Sequence, residues 1–165
     1  MRIIIVSILV SCLGFSQGFL HNLNGEVVDG DGQPILLRGF GLGGWLVPEG
    51  YMLHNQAWIQ GFESPTDIEN HVLELIGPDE ANNFWELYRA NYVAQADIDK
   101  IAEWGFNHLR VPFHYKQFYD STGTETPIGY AIIDELITWC QPHNIYIILD
   151  TVSYTHLTLP TILRV

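Results

Sequence analysis

Apolar and polar positions alternate in blocks along this chain, and the blocks change period as the sequence proceeds. Gly25-Glu26-Val27-Val28 and Ile35-Leu36-Leu37 flank the cluster Asp29-Gly30-Asp31-Gly32-Gln33-Pro34. Two short apolar runs around a Gly/Asp cluster predict a β-hairpin. The second run continues to Leu46 and is interrupted by Gly39, Gly41, Gly43 and Gly44. That pattern predicts a buried strand opening into a loop. Helical spacing follows. Ser64 caps, Pro65 suits the first turn and Asp67 faces the positive dipole end. Ile68, Val72, Leu75 and Ile76 form a stripe that Gly77-Pro78 ends. Ala81, Phe84, Trp85 and Tyr88 mark a second helix, and Ile98, Ile101 and Ala102 a third that stops at Gly105. Phe106 to Pro112 is predicted as a strand ended by its proline. Tyr130 to Gln141 is predicted as a helix with Ile132, Ile133, Leu136, Ile137 and Cys140 inward, broken by Pro142-His143-Asn144. The apolar run that ends at Leu149-Asp150 suits a parallel strand covered on both faces. Strands alternating with helices predict an α/β protein with parallel strands.

The first residues break this pattern. Arg2 precedes an apolar run from Ile3 to Leu13, and Gly14, Ser16, Gln17 and Gly18 follow. A charged start, an apolar core and a small-residue zone predict a signal peptide over residues 1–18. The run is shorter than the ~20 residues a membrane-spanning helix needs. The expected location is therefore secreted or periplasmic. Leu9-Val10-Ser11-Cys12 also offers a lipoprotein-type cleavage box, the less favoured reading.

With Cys12 removed, Cys140 stands alone and no internal disulfide can form. A buried, inert thiol is expected there. Seven Lys and Arg against 19 Asp and Glu give a net charge of -12, which argues against nucleic acid as a partner. At 47% hydrophobic the chain can bury a core, but its 165 residues fall short of the ~250 of a complete (β/α)8 barrel.

Leu37-Arg38-Gly39-Phe40-Gly41-Leu42-Gly43-Gly44-Trp45-Leu46-Val47-Pro48-Glu49 resembles the first-strand signature of glycoside hydrolase family 5, in particular the members related to exo-β-1,3-glucanases. Asp97-Ile98, Ile101-Ala102 and Gly105-Phe106-Asn107-His108-Leu109-Arg110-Val111-Pro112-Phe113 resemble the helix and second strand of the same family. Ile147-Ile148-Leu149-Asp150 resembles its third strand. The resemblance implies a (β/α)8 TIM barrel, here truncated to the N-terminal hairpin and roughly the first three strands, over residues 19–151. It implies a secreted retaining β-glycosidase acting on β-linked glucans or oligosaccharides, monomeric at full length, with no membrane span. No cofactor is implied. Cellulose, β-1,3-glucan, mixed-linkage glucan and mannan all fit, and endo and exo action both remain open. A non-catalytic carbohydrate-binding protein on the same scaffold is the alternative.

In such barrels functional groups sit at the C-terminal ends of the strands. Arg110 is expected near the end of the second strand, and the resemblance implies that it supports the nucleophilic glutamate. A guanidinium there holds a facing carboxylate ionised. Trp45 and Glu49 are placed near the glycone subsite. An aromatic face stacks on a sugar and a carboxylate accepts from its hydroxyls, although core packing for Trp45 and a solvated position for Glu49 are equally open. His114 and Tyr115 follow the second strand and are candidates to line the cleft, with a structural histidine as the other reading. Retaining glycosidases use two carboxylates ~5–5.5 Å apart. The resemblance implies that these follow strands four and seven, the first in an Asn-Glu pair. The chain has no Asn-Glu pair, so no catalytic residue is assigned. A metal-dependent barrel hydrolase is disfavoured, because the first strand lacks the His-x-His pair such sites use.

The tail breaks the resemblance. After Asp150 the family's pattern is roughly Leu-Asp-x-His, but here Thr151 and Val152 follow. Val152 to Thr161 resembles a translated transposase-type sequencing adapter, so residues 152–165 are expected to be non-native. A chain with three barrel strands is expected to leave apolar faces and a strand edge open, to aggregate, and to hydrolyse no glucan.

Overall fold

The computed structural model describes residues 18–53 and 64–152. The expected signal peptide and adapter-like tail therefore lie almost wholly outside the described residues. The chain divides into two units, residues 1–36 and 37–165.

In the first unit, strands β1 (His21–Leu23) and β2 (Glu26–Val28) pair antiparallel, with His21 opposite Val28. Asn24 and Gly25 connect them, both at positive φ (54° and 90°). That is the geometry of the tight hairpin turn for which Asn-Gly is the strongest signal. The predicted hairpin around residues 29–34 is present only in part: Ile35 N–H donates to the Val27 carbonyl at 3.0 Å, and Val28 bridges Pro34. Asp29 explains why no long strand forms there. Its carboxylate accepts from the N–H groups of Asp31 and Gln33 and folds the segment into a local turn.

The second unit alternates strands and helices. β3 (Gly39–Gly41), β4 (His108–Phe113) and β5 (Tyr146–Thr151) form a parallel sheet in the order β3-β4-β5. Between β3 and β4 run α1 (Gly50–Leu53), α2 (Pro65–Ile76), α3 (Pro78–Tyr92) and α4 (Gln95–Glu103). Between β4 and β5 runs α5 (Ile128–Cys140). The caps act as the residue types require. Ser64 Oγ accepts from Asp67 N–H at 3.2 Å and Asp67 accepts from Ser64 N–H at 3.1 Å, a complete capping box.

β4 passes through Pro112 rather than stopping before it. Leu42 N–H donates to the Arg110 carbonyl, so the polar groups of residue 110, and by the two-residue period those of 112, face β3. β3 has already ended at Gly41, opposite Arg110, so the missing proline N–H costs no ladder bond.

Side chains leave the sheet on two faces. Leu109, Val111 and Phe113 meet Ile98 and Ile101 of α4 and Ile133, Leu136 and Cys140 of α5 in the core. Each fully buried aliphatic side chain there contributes about 1.5–3 kcal/mol. The opposite face carries His108, Arg110 and Pro112 of β4, Tyr146, Ile148 and Asp150 of β5, and Gly39 and Gly41 of β3. A succession of parallel strands in chain order, with helices packed on one side and mixed side chains on the other, is the wall of an α/β barrel. The predicted α2 stripe is buried only at its start: Ile68 is 2% exposed and Leu75 80%. No helix among the described residues is long and apolar enough to cross a membrane.

Candidate active site at the strand ends

Glycine brings the first two strands together on the inner face. A Cβ on Gly39 would lie 1.8 Å from the His108 carbonyl oxygen and 2.7 Å from its Nδ1, so no other residue fits without moving β4. That His108 nitrogen is buried and has no hydrogen-bond partner among the described residues. Gly41, one layer nearer the strand ends, lies beside Arg110, whose Nη1 would be 3.6 Å from a Cβ there.

Arg110 turns its guanidinium toward β5. Nε donates to Asp150 Oδ2 at 2.8 Å, and Nη2 donates to the same oxygen. Register pairs Arg110 with Ile148 and Asp150 with Pro112, so the carboxylate stands two residues farther toward the C-terminal strand ends. The two side chains are 48% and 42% exposed. Arg110 is thus on the inner face near the glycine-rich first strand, not on the far rim.

Beyond β3 the chain makes a sharp loop held from outside. Gly44 has φ 79°, and a Cβ there would meet the Tyr92 hydroxyl at 2.5 Å. Tyr88 donates its hydroxyl proton to the Gly44 carbonyl at 2.6 Å. Burial, with Tyr92 close by, raises the Tyr88 pKa far above the usual phenol range. Trp45 is 3% exposed, and its indole N–H donates to the Arg89 carbonyl at 2.9 Å. Of the two readings open for Trp45, core packing is the one this arrangement fits, because the ring is enclosed rather than presented to a ligand. Burial also lowers the Arg89 pKa, with the charges of Glu86 and Glu69 opposing.

The loop leads to Glu49, half-buried at the start of α1. Tyr51 donates to Glu49 Oε2 at 3.3 Å. The Tyr51 pKa is raised, first by the Glu49 charge, and Arg110 acts on it in the opposite direction. Glu49 and Arg110 thus both act on Tyr51, and Arg110 is in turn paired with Asp150. Tyr51 has no periodic or motif signal in the sequence that distinguishes it.

His114 and Tyr115 open the short turn after β4 that runs Tyr115–Gln117. Their rings are 4.5 Å apart. His114 Nδ1 accepts from Lys116 N–H at 3.3 Å, and its backbone N–H donates to the Leu46 carbonyl at 3.2 Å. Burial lowers the His114 pKa, Lys116 adds to that, and Glu69 opposes it, so the ring is neutral at pH 7. Lys116 ties this turn to α2 through Thr66 at 2.9 Å and Glu69 at 3.0 Å. His114 is thus a built-in acceptor of the turn, while Tyr115 is 42% exposed.

Fold and site together define an α/β-barrel sector with an arginine–carboxylate pair on its inner face; Arg110, expected near the end of its strand, lies inside β4, which continues to Phe113. The cellulase family profile (glycosyl hydrolase family 5) matches residues 65–161, which includes part of the tail. A beta-xylosidase of Phanerodontia chrysosporium is 30% identical over 128 residues, covering 76% of this chain and 25% of that protein. Glucan 1,3-beta-glucosidase 1 of Schizosaccharomyces pombe is 29% identical, covering 69% of this chain and 28% of that protein. The solved structure of rutinosidase from Aspergillus niger aligns with a TM-score of 0.54 at 26% identity, covering 68% of this chain and 31% of that one. The chain belongs to glycosyl hydrolase family 5, and its fold is a sector of the (β/α)8 barrel. It spans about a quarter of the length of the curated relatives it matches.

Proposed function

We propose that this chain is the N-terminal portion of a secreted, monomeric, retaining β-glycosidase that hydrolyses β-glucans. In the complete protein Arg110 orients and keeps ionised the nucleophilic carboxylate, which comes from beyond the third barrel strand. Glu49, helped by Tyr51, accepts from sugar hydroxyls at the glycone end, and Tyr115 lines the cleft. The observation that carries the reading is a half-exposed guanidinium on the inner face of the sheet, level with the end of β3 and within electrostatic reach of Tyr51 in the segment after Glu49. In a protein of this family those are the places from which a sugar ring is held and a carboxylate tuned. The relatives named for glucan and xylose chemistry support the substrate class. Residues 1–18 are proposed as a cleaved signal and 152–165 as foreign to the natural sequence.

The test starts from the uninterrupted coding sequence across position 151. Glutamates after strands four and seven, and release of reducing sugar from laminarin, cellulose, mixed-linkage glucan or mannan with retained anomeric configuration, are expected. Binding of these polymers without release would replace the enzyme by a carbohydrate-binding protein. The 165-residue chain alone is expected to release none.

A further inference from the structure

We infer that Asp150 is the positioning residue for Arg110: it fixes the plane of the guanidinium and leaves the Nη1 side to meet a second carboxylate at the mouth. The inference rests on the proposed glycosidase reading and adds to it a residue whose role is neither packing nor substrate contact.

Both hydrogen bonds of the pair end on one oxygen, Oδ2, and use the Nε edge of the arginine. Nε is the guanidinium donor nearest the flexible stem, so bonding it stops rotation about the outer torsions and sets where the remaining donors point. Nη1 is then held on the Gly41 side, where no Cβ intervenes. The pair has little structural work to do. β4 and β5 are already locked by six residues in register, from His108 opposite Tyr146 to Phe113 opposite Thr151. An ion pair this exposed adds no more than about 1 kcal/mol. The pair lies on the inner face, with Arg110 level with the last residue of β3 and Asp150 two residues nearer the C-terminal strand ends, where a barrel's chemistry is done. A lone arginine there would sample several rotamers, and a displacement of about 1 Å in a positioning group can cost up to about 100-fold in rate.

The experiment uses the complete protein and the variants Asp150→Asn, Asp150→Glu and Arg110→Lys. In wild type, the Arg110 Nε–H resonance is expected to be shifted and slow to exchange with water, and in Asp150→Asn to become ordinary. The kcat of Asp150→Asn should fall between about 10- and 100-fold with KM changed less than about threefold. Asp150→Glu should recover part of it. Arg110→Lys with Asp150→Asn should be no slower than Arg110→Lys alone, within about twofold, because both act through one group. Thermal midpoints should stay together. An Nε–H that exchanges as freely in wild type as in Asp150→Asn overturns the inference, and so does wild-type kcat in Asp150→Asn. A wild-type protein that hydrolyses no glycoside sinks the glycosidase reading instead, and the Nε–H measurement still decides whether Asp150 holds the arginine.

Discussion

The two faces of the β3-β4-β5 sheet share the same strands and differ in everything else. Toward the helices, Leu109 and Val111 are 0% exposed and surrounded by aliphatic carbon. On the inner face, Ile148 is 40% exposed, with an arginine opposite it and a histidine and an aspartate in the layers on either side. One face is closed and stores stability. The other is open and carries groups that stabilise little where they stand. The division separates residues that make the wall from residues that use it.

Several measurements would break or sharpen this division. The largest effect is expected at Cys140, 1% exposed on the helix side, whose thiol burial pushes up to about 12. In the complete mature protein its reaction with a disulfide reagent at pH 8, followed at this residue by peptide mapping, should be suppressed on the order of 10³-fold relative to the urea-unfolded protein. The sign of the pH dependence follows. The folded state keeps the thiol proton that the unfolded state loses, so this group's contribution falls as pH rises from about 9 toward 12. Leu109→Ala should cost about 2–5 kcal/mol in urea unfolding, and Ile148→Ala on the open face less than about 1 kcal/mol. Equal losses at both positions would erase the distinction. Gly39→Ala should cost roughly 3 kcal/mol because its Cβ lands on β4, whereas Gly41→Ala meets only ordinary contacts and should be tolerated. Ser64→Ala should cost about 1 kcal/mol, seen as lost helicity at α2.

The closed face was the legible one. Helical spacing at Ile98 and Ile101, and at Ile133, Leu136 and Cys140, gave residues that the structure buries. The capping box at Ser64 and Asp67 is local chemistry, and it forms as local chemistry predicts. The misses have physical reasons. The Asn24-Gly25 turn is a two-residue signal, and the larger Gly/Asp cluster beside it draws attention away although Asp29 folds it on itself. Proline is tolerated inside β4 because the neighbouring strand has ended, which depends on tertiary register rather than on residue type. Glu49 and Arg110 are far apart in sequence, and only the family resemblance points to both as groups of the mouth. What held Arg110 was hidden, since the pairing with Asp150 requires knowing that β4 and β5 lie side by side with a two-residue offset between the charges. Trp45 follows glycines in a segment that reads as loop, and its burial depends on tertiary partners, among them the Arg89 carbonyl of α3 and the shared core cluster.

The tyrosine pair on α3 has a consequence for how such a mouth can change over time. Tyr88 grips the Gly44 carbonyl and Tyr92 crowds its α-carbon, from a helix on the outer side of the wall. The segment they restrain runs directly into Glu49. Trimming either ring would slacken that segment and let the carboxylate drift while every group around it kept its identity. On the proposed glycosidase reading, a random-mutagenesis screen for altered glycan preference should therefore return hits at Tyr88 and Tyr92 as well as among the groups proposed to meet the sugar.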